Sequence, residues 1–410
     1  MAKVKLKFKA SSQADGEGSL YYQITHQRKV CHLVTDFRIK SAEWSNECSS
    51  IIISRKDDRQ ATLMRMCDRI KCDIERFARI IRRLEYNGLE YSASDIVDEF
   101  KKFVSEYSLT NYMTKIIISL KLNGKIRTAE TYNSTLRSFR KFLISQSEKC
   151  DETKSDITID CINKTMVKEY ESWLKCRGLT MNTVSFYNRI LRAVYNRAVE
   201  DEIIEDSRPF RHVYTGVDQT VKRALPLNTI QKIKALDLSA APALDFARNI
   251  FLLSFYLRGM SFIDMAFLKK SELKNGHITY RRHKTGKLMI VKWTNEMQNI
   301  LDKYPENKSI YLLPIIKNPG TNERRTYRNC SYNINHNLKQ IAIMTGITIP
   351  LTLYVARHSW ASAAKAKGIS ISVISEGMGH RSEKTTSIYL TDLDTSIVDK
   401  ANSIMLKSLS

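Results

Sequence analysis

An arginine, a histidine and a tyrosine lie near the carboxyl end of the sequence at a spacing that suits phosphate chemistry. Arg357 occurs in Tyr-Val-Ala-Arg-His-Ser-Trp, His380 ends Gly-Met-Gly-His, and Tyr389 follows nine residues later. A guanidinium can bind two phosphoryl oxygens at once, and a histidine can accept or donate a proton near neutral pH. A phenol can attack phosphorus when nearby positive charge lowers its pKa. The three residue types together predict cleavage of a phosphodiester through a phosphotyrosine.

Three short helices are predicted to bring these side chains together. Tyr354 and Arg357 are three residues apart and share one face of the first helix. Ser370 predicts the start of a second helix, which two glycines end just before His380. Ser382 predicts the start of a third helix that carries the tyrosine. One residue of the site would then come from each of three consecutive elements.

This stretch resembles the catalytic segment of the tyrosine recombinase (phage integrase) family, above all integrases and invertases of bacterial mobile elements. The arginine-histidine step of the family matches Arg357-His358, its leucine-glycine-histidine step matches Met378-Gly379-His380, and its nucleophile matches Tyr389. The resemblance implies that Tyr389 attacks the scissile phosphate and that Arg357 binds it. It implies that His380 either takes the proton of the tyrosine or hydrogen-bonds the phosphate.

Two further site residues follow from the same resemblance. Lys284 lies in His-Lys-Thr-Gly, between two strands predicted at about 278–282 and 287–293. The catalytic lysine of the family lies at such a turn, so Lys284 is expected to protonate the leaving 5′ oxygen; the alternative is a solvated turn lysine. Tyr354 stands where many members have histidine, three residues before Arg357, and either donates a hydrogen bond to the phosphate or packs.

The second arginine of the family has no direct match. The usual pattern places glycine-x-arginine three residues before an acidic residue, but three residues before Asp264 the sequence has Ser261. Arg258 lies one helical turn further upstream, on the same face of a helix predicted over 249–268. We therefore expect Arg258 to be the second phosphate ligand, with Ser261 as the alternative occupant of that position.

Composition points to a polyanionic partner. The 410 residues include 66 Lys and Arg against 43 Asp and Glu, a formal net charge of +23, and double-stranded DNA is the first candidate. The sequence has no long apolar run or signal peptide, which predicts a cytoplasmic protein without membrane contact. The eight cysteines form no Cys-x-x-Cys pair, and no nucleotide-binding loop or carboxylate cluster for magnesium occurs. No cofactor or metal is expected.

The predicted fold is mainly α and divides into three domains. Residues 1–104 predict a small sheet with a helix, which resembles an arm-type DNA-binding domain; its basic residues could equally be a solvated surface. Residues 105–215 predict a helical bundle that resembles the core-binding (SAM-like) domain. Residues 216–410 predict a mostly helical catalytic domain with one β-hairpin, the tyrosine recombinase fold.

The resemblance implies a metal-independent, site-specific DNA recombinase, most simply the integrase of a mobile element. In the family, four protomers on two duplexes form and resolve a Holliday junction through 3′-phosphotyrosine intermediates. A homotetramer on core and arm DNA sites is therefore expected, with host DNA-bending or directionality proteins as further partners. Three alternatives stay open: an invertase for phase variation, a DNA-binding protein with a decayed site, and a type IB topoisomerase.

Overall fold

The chain is mostly helical with small antiparallel sheets, as the sequence predicts. The computed structural model describes residues 2–13, 16–53, 59–86, 88, 90–146, 156–218, 223–320, 322–387, 390, 402, 405 and 406. The chain forms two compact units, Met1–Gln219 and Thr220–Ser410. The finer division into domains at residues 104 and 215 stays a prediction. Every helix among the described residues is too short or too polar to cross a bilayer.

The alternating lysines at the amino end form the first strand of an antiparallel sheet, as predicted. The sheet has the order β1-β2-β3. Its strands are β1 (Lys3–Lys9), β2 (Gly18–His26) and β3 (Lys29–Ile39). Gln27 and Arg28, both at positive φ, make the tight turn between β2 and β3. One face of the sheet is buried and the other carries the lysines of β1, because side chains alternate along a strand.

Two helices cover the buried face of the sheet. They are α1 (Gln60–Tyr86) and α2 (Ala93–Glu106), preceded by a short ribbon of β4 (Trp44–Ser45) and β5 (Ser50–Ile51). Ser92 caps α2, because its hydroxyl accepts from the backbone N–H of Asp95 while the carboxylate of Asp95 accepts from the backbone N–H of Ser92.

One arginine of α1 is buried rather than part of a basic surface. The guanidinium of Arg76 donates to Asp73 at 2.6 Å, to Asp160 at 2.8 Å and to Thr158 at 2.5 Å. Arg79 also donates to Asp160, at 2.6 Å. A buried cation needs such partners because burial removes its hydration. The interaction ties α1 to the segment that opens the second half of the helical bundle.

The following region is a helical bundle, as predicted. Its helices are α3 (Leu109–Leu122), α4 (Ile126–Ser145), α5 (Lys164–Cys176) and α6 (Met181–Glu200). Their apolar stripes meet in one core that includes Phe139, Tyr170 and Leu191. The stripes therefore pack against each other, as expected for amphipathic helices.

The second unit contains eight helices and one three-stranded sheet among its described residues. The helices are α7 (Leu227–Ala235), α8 (Pro242–Tyr256), α9 (Phe262–Ala266), α10 (Asn295–Leu301), α11 (Glu323–Met344), α12 (Leu353–Ala366), α13 (Ile371–Gly377) and α14 (Glu383–Ser387). The strands, in the order β6-β7-β8, are β6 (Leu273–Lys274), β7 (His277–Arg281) and β8 (Leu288–Lys292). Helix α8 runs through the core and packs on α11 and α12.

The predicted continuous helix over 249–268 is wrong. Helix α8 ends at Tyr256, and α9 begins only at Phe262. Arg258 and Gly259 lie between them with φ of 59° and 72°. A helix cannot continue through two residues at positive φ, so the chain turns before α9.

Candidate active site

The guanidinium of Arg357 is fixed from three directions. Arg357 lies on α12 and is 3 % exposed. It donates to the carbonyl of Gly259 at 2.6 Å, to the carbonyl of Met378 at 2.7 Å, and it lies 2.8 Å from Nε2 of His380. The planar guanidinium is therefore held in place before any ligand arrives, which lowers the entropic cost of binding a phosphate.

Glycine at position 259 is required by this arrangement. A Cβ on Gly259 would lie 2.8 Å from Cα of Arg357, closer than real carbon contacts. The backbone before α9 therefore packs directly on α12, and its carbonyl reaches the guanidinium. Gly379 is similar, because a Cβ there would lie 2.7 Å from Sδ of Met289 on β8. Both glycines also have positive φ, a conformation that costs other residues free energy.

His380 follows α13 and is buried beside Arg357. An arginine can only donate, so Nε2 of His380 accepts, and Nδ1, 2.8 Å from Oγ1 of Thr386, carries the proton. Burial and the positive charges of Arg357 and Arg282 lower the pKa of His380 to about 3. His380 is therefore neutral at physiological pH in the protein without DNA.

The hairpin places Lys284 at an exposed turn, as the sequence predicts. Strands β7 and β8 pair in register from His277↔Lys292 to Arg281↔Leu288. The turn is closed by the backbone N–H of Gly286, which donates to the carbonyl of Arg282 at 2.8 Å. Lys284 is one of the charges that lower the pKa of His380. The turn therefore brings an exposed cation towards the arginine and the histidine.

Arg258 reaches the same region, but not by the predicted route. It lies in the turn after α8, not one helical turn before Ser261 on a common helix face. Its guanidinium lies 3.5 Å from the carbonyl of Ile290 on β8. Its Cδ would lie 3.8 Å from a Cβ on Gly377. Ser261 instead precedes α9, and its hydroxyl donates to the carboxylate of Asp264 at 2.5 Å.

A third arginine, Arg282, belongs to this group although it was not among the predicted site residues. It is 6 % exposed and donates to the carbonyl of Gly379 at 2.6 Å, next to His380. Burial raises the pKa of the Tyr280 hydroxyl, and the charges of Arg357, Arg282 and Arg258 oppose that rise. All three arginines are therefore close enough to influence the same buried tyrosine. The double arginine before His-Lys-Thr-Gly was the only sequence signal for this cluster.

Of the two tyrosines of the predicted site, the structure describes only Tyr354. Tyr354 is 52 % exposed on α12, and its ring meets that of His358 edge-on at 4.9 Å. Tyr389, the predicted nucleophile, lies outside the described residues. Helix α14 begins after Ser382, as predicted, and its described residues end at Ser387. The part of the third helix that was expected to carry Tyr389 is likewise outside the described residues.

No group of three or more His, Cys, Asp or Glu within the described ranges is close enough to hold a metal ion. The functional groups on these elements combine positive charge with a neutral histidine: Arg357 bonds His380 directly, Arg282 bonds the carbonyl that precedes His380, and Lys284 lies at an exposed turn. Such a group can neutralise a phosphate and orient it for attack.

Two family models match this chain. The phage integrase SAM-like domain matches residues 108–213, and the phage integrase family matches residues 228–395. Together they cover about two thirds of the 410 residues. The chain belongs to the phage integrase family of tyrosine recombinases. Members of this family break and rejoin DNA strands, and this chain is such an enzyme.

Individual tyrosine recombinases agree with this assignment. Tyrosine recombinase XerC of Bacillus licheniformis is 25 % identical over 295 residues, which is 69 % of this chain and 92 % of the relative. A lambda integrase tetramer bound to a Holliday junction is similar with a TM-score of 0.53 and 15 % identity, over 91 % of this chain and 93 % of that one. A lambda integrase dimer bound to a core site is similar with a TM-score of 0.52 and 14 % identity, over 93 % of each chain. The structural likenesses show the fold.

Proposed function

We propose that this tyrosine recombinase is a site-specific integrase that inserts and excises a mobile element. Four protomers would synapse two DNA duplexes and exchange strands through a Holliday junction, in the cytoplasm. The Bacillus licheniformis and lambda proteins support recombination as the reaction, and the lambda structure is that of a tetramer bound to such a junction. A basic amino-terminal sheet supports the integrase role, because an accessory DNA site needs a second DNA-binding surface.

The reaction divides among the residues of the candidate site. The phenol of Tyr389 loses its proton to solvent, its oxygen attacks phosphorus, and the bond from phosphorus to the 5′ oxygen breaks. Arg357 and a second arginine, Arg258 or Arg282, neutralise the non-bridging oxygens. Lys284 donates a proton to the leaving 5′ oxygen. A free 5′ hydroxyl then attacks the 3′-phosphotyrosine, so the bond energy is conserved and no cofactor is consumed.

One observation carries this proposal: the side chains of Arg357 and His380 contact each other in a buried, positively charged site. Their side chains meet at 2.8 Å although they come from different elements, and both are at least 95 % buried. The buried guanidinium groups of Arg357 and Arg282 concentrate positive charge beside this neutral histidine, and such a site stabilises a negative charge. A scissile phosphate supplies that charge, and the exposed turn with Lys284 leaves a route for DNA to reach it.

His380 is better suited to bonding the phosphate than to taking the proton of the tyrosine. A group with a pKa of about 3 is a weak base towards a phenol of pKa about 10. An incoming phosphate would offset the charges of Arg357 and Arg282 and raise the pKa of His380. His380 would then be able to donate from Nε2 once the phosphate is bound.

The open face of the amino-terminal sheet is proposed as the arm-site surface. Lys5 pairs across the strands with Gln23, and Lys7 pairs with Tyr21. Tyr21 also meets His32 of β3 edge-on at 5.2 Å. Such a sheet face presents cations for phosphates and polar side chains for base edges in the major groove.

Covalent trapping tests the nucleophile. We would express the protein and its Tyr389→Phe variant in bacteria that carry the native flanking DNA, denature the cells, and sequence DNA that stays bound to protein. We expect adducts at one short site with the natural protein and a loss of at least about 1000-fold with the variant, because a phenyl ring has no nucleophile. Tyr332→Phe is the matched control, since Tyr332 is an exposed tyrosine on α11.

Each outcome has a distinct meaning. Adducts at one site that need Tyr389 would support both the recombinase chemistry and the site specificity. Adducts scattered without sequence preference would favour a topoisomerase. Adducts that persist in Tyr389→Phe would refute the nucleophile assignment. No adduct even on nicked DNA, with binding intact, would indicate a DNA-binding protein with an inactive site.

A further inference from the structure

A buried carboxylate holds the residue next to Lys284. The side chain of Asp264, on α9, is 1 % exposed. Its Oδ1 accepts from the backbone N–H of His283 at 2.8 Å and lies 3.4 Å from Nδ1 of the His283 ring. Its Oδ2 accepts from Ser261 at 2.5 Å. One carboxylate therefore fixes both the backbone and the ring of the residue that precedes the lysine.

The same hairpin turn is fixed on the segment that carries His380. Arg282, one residue before His283, donates to the carbonyl of Gly379 at 2.6 Å. Arg381 donates to the carbonyl of Thr285 at 2.9 Å, one residue after the lysine. These contacts join the turn to the residues on either side of His380. Both neighbours of Lys284 along the chain are thus held, while the lysine itself is exposed.

We propose that His283, held by Asp264, is a positioning residue that aims Lys284 at the leaving 5′ oxygen. The inference rests on the proposed acid role of Lys284. A lysine has four rotatable side-chain bonds, so its reach depends on where its backbone is fixed. The contact from ring to carboxylate prevents the turn from rotating about His283, and the ammonium group then stays within range of the leaving oxygen.

The surroundings of His283 favour this contact. The hydrogen bond to Asp264 raises the pKa of His283, against the opposing effect of burial, and Asp264 and Glu272 add to the rise by their charge. Burial alone would raise the pKa of Asp264, but hydrogen bonds from His283 and Ser261 lower it. The ring of Phe267 lies 5.5 Å from that of His283. Lys269, Arg281 and Tyr311 are among the other residues that line the cavity that His283 faces.

The proton step can be isolated from the rest of the reaction. In ordinary DNA, the oxygen of the tyrosine bonds to phosphorus, the bond to the 5′ oxygen breaks, and a proton from Nζ of Lys284 neutralises that oxygen. If sulfur replaces the bridging 5′ oxygen, the leaving thiolate is stable without a proton. A defect confined to the acid then disappears, whereas a defect in phosphate binding or folding remains.

The test uses the full chain and a pair of variants. His283→Asn places its amide nitrogen where Nδ1 lies and can still bond Asp264. His283→Gln places its amide where Nε2 lies and cannot. His277→Gln is the matched control, because His277 lies on the same hairpin but bonds the carbonyl of Asn275 at 2.9 Å. Lys284→Ala reports on the acid itself. Cleavage rates would be measured on duplexes with the crossover site found by trapping, containing bridging oxygen or sulfur.

We expect His283→Gln to cleave the oxygen duplex roughly 10- to 100-fold more slowly than the natural protein, and the sulfur duplex at close to its rate. His283→Asn and His277→Gln should resemble the natural protein on both duplexes. Equal slowing of His283→Gln on both duplexes, or no slowing on the oxygen duplex, would overturn the inference. Failure of sulfur to rescue Lys284→Ala would instead overturn the acid role of Lys284 in the proposed function.

Discussion

Individual residues in this site both stabilise the fold and are expected to bind the phosphate, because the same guanidinium groups make both kinds of bond. Arg357 is bonded to two carbonyls and to His380 before DNA arrives. Arg282 bonds the carbonyl of Gly379 and lowers the pKa of His380. A guanidinium has five donors, so it can hold a backbone on one edge and a phosphate on another. The cost of removing either arginine will include both roles.

Three alanine substitutions test which residues, besides Arg357, supply positive charge to the phosphate. We expect Arg258→Ala and Arg282→Ala each to slow DNA cleavage roughly 100- to 1000-fold, because each removes a positive charge near the scissile phosphate. We expect Ser261→Ala to cost less than about 10-fold, since it removes only the bond to Asp264. The measurement is the single-turnover rate of adduct formation on a nicked duplex.

Arg281→Ala is the control for that comparison, because Arg281 is exposed and bonds only the turn carbonyl of Gly286, at 3.3 Å, within the described residues. Thermal melting of each variant separates loss of charge from loss of folding. A larger defect in Ser261→Ala than in Arg258→Ala would show that the wrong residue was assigned to the second position. If Arg282→Ala alone is defective, the hairpin rather than the turn after α8 supplies the charge.

Short elements with clear end signals could be predicted from the sequence, whereas breaks inside apolar segments could not. Ser370 caps α13 and glycine ends it before His380, as predicted, because these residues have specific backbone preferences. The break between α8 and α9 was missed, because apolar residues flank it on both sides and an arginine at positive φ is uncommon. The burial of Arg76 on α1 was missed for a related reason, because the basic residues of this segment were interpreted as a DNA-binding or solvated surface.

Without the family resemblance, the candidate site was predictable only where its residues are close in sequence. Arg357 and His380 could be predicted to lie together because the segment between them is short and has clear signals for where its helices begin and end. Arg282 bonds Gly379 across 97 positions, and Ser359 bonds the backbone of Leu225 across 134. No local pattern encodes contacts at such separations. They depend on the packing of α8, α12 and the hairpin, which only the folded chain shows.

Packing between these elements can be tested at Gly259. We expect Gly259→Ala to abolish most cleavage, at least about 100-fold, because the added methyl group would lie 2.8 Å from Cα of Arg357 and displace it. Gly276→Ala is the matched control. Gly276 has a similar φ of 68°, but a Cβ there would meet no atom within 4 Å. Cleavage rate and melting temperature would be measured for both.

Both variants share the cost of forcing an L-residue to positive φ, about 1–2 kcal/mol. Their melting temperatures should therefore fall together, with a further fall in Gly259→Ala from the close contact. Cleavage should nevertheless be much slower in Gly259→Ala than in Gly276→Ala. Similar rates in the two variants would mean that the backbone at position 259 does not fix Arg357.

The whole molecule carries a net charge of +23, but its cations are not equally available to DNA. Several arginines of α1 are paired internally, with Asp160, Asp73 and Glu99 among their partners. The lysines of β1 occupy an open face of the sheet. Distribution rather than total charge therefore decides which surfaces can bind phosphates.

The salt dependence of DNA binding can distinguish the contribution of the sheet face from that of the rest of the molecule. We expect the double variant Lys5→Ala, Lys7→Ala to bind the flanking DNA more weakly and to lower the slope of log Kd against log salt by about 2, because each lysine removed leaves one phosphate without its cation. The control, Lys101→Ala with Lys102→Ala, removes two exposed lysines of α2. Affinity would be measured on duplexes tiled across the flanking DNA at several salt concentrations.

If β1 reads arm sites, the weaker binding is confined to a few duplexes outside the crossover site and the control changes little. Equal weakening on every duplex in both variants would mean that the sheet contributes only general charge.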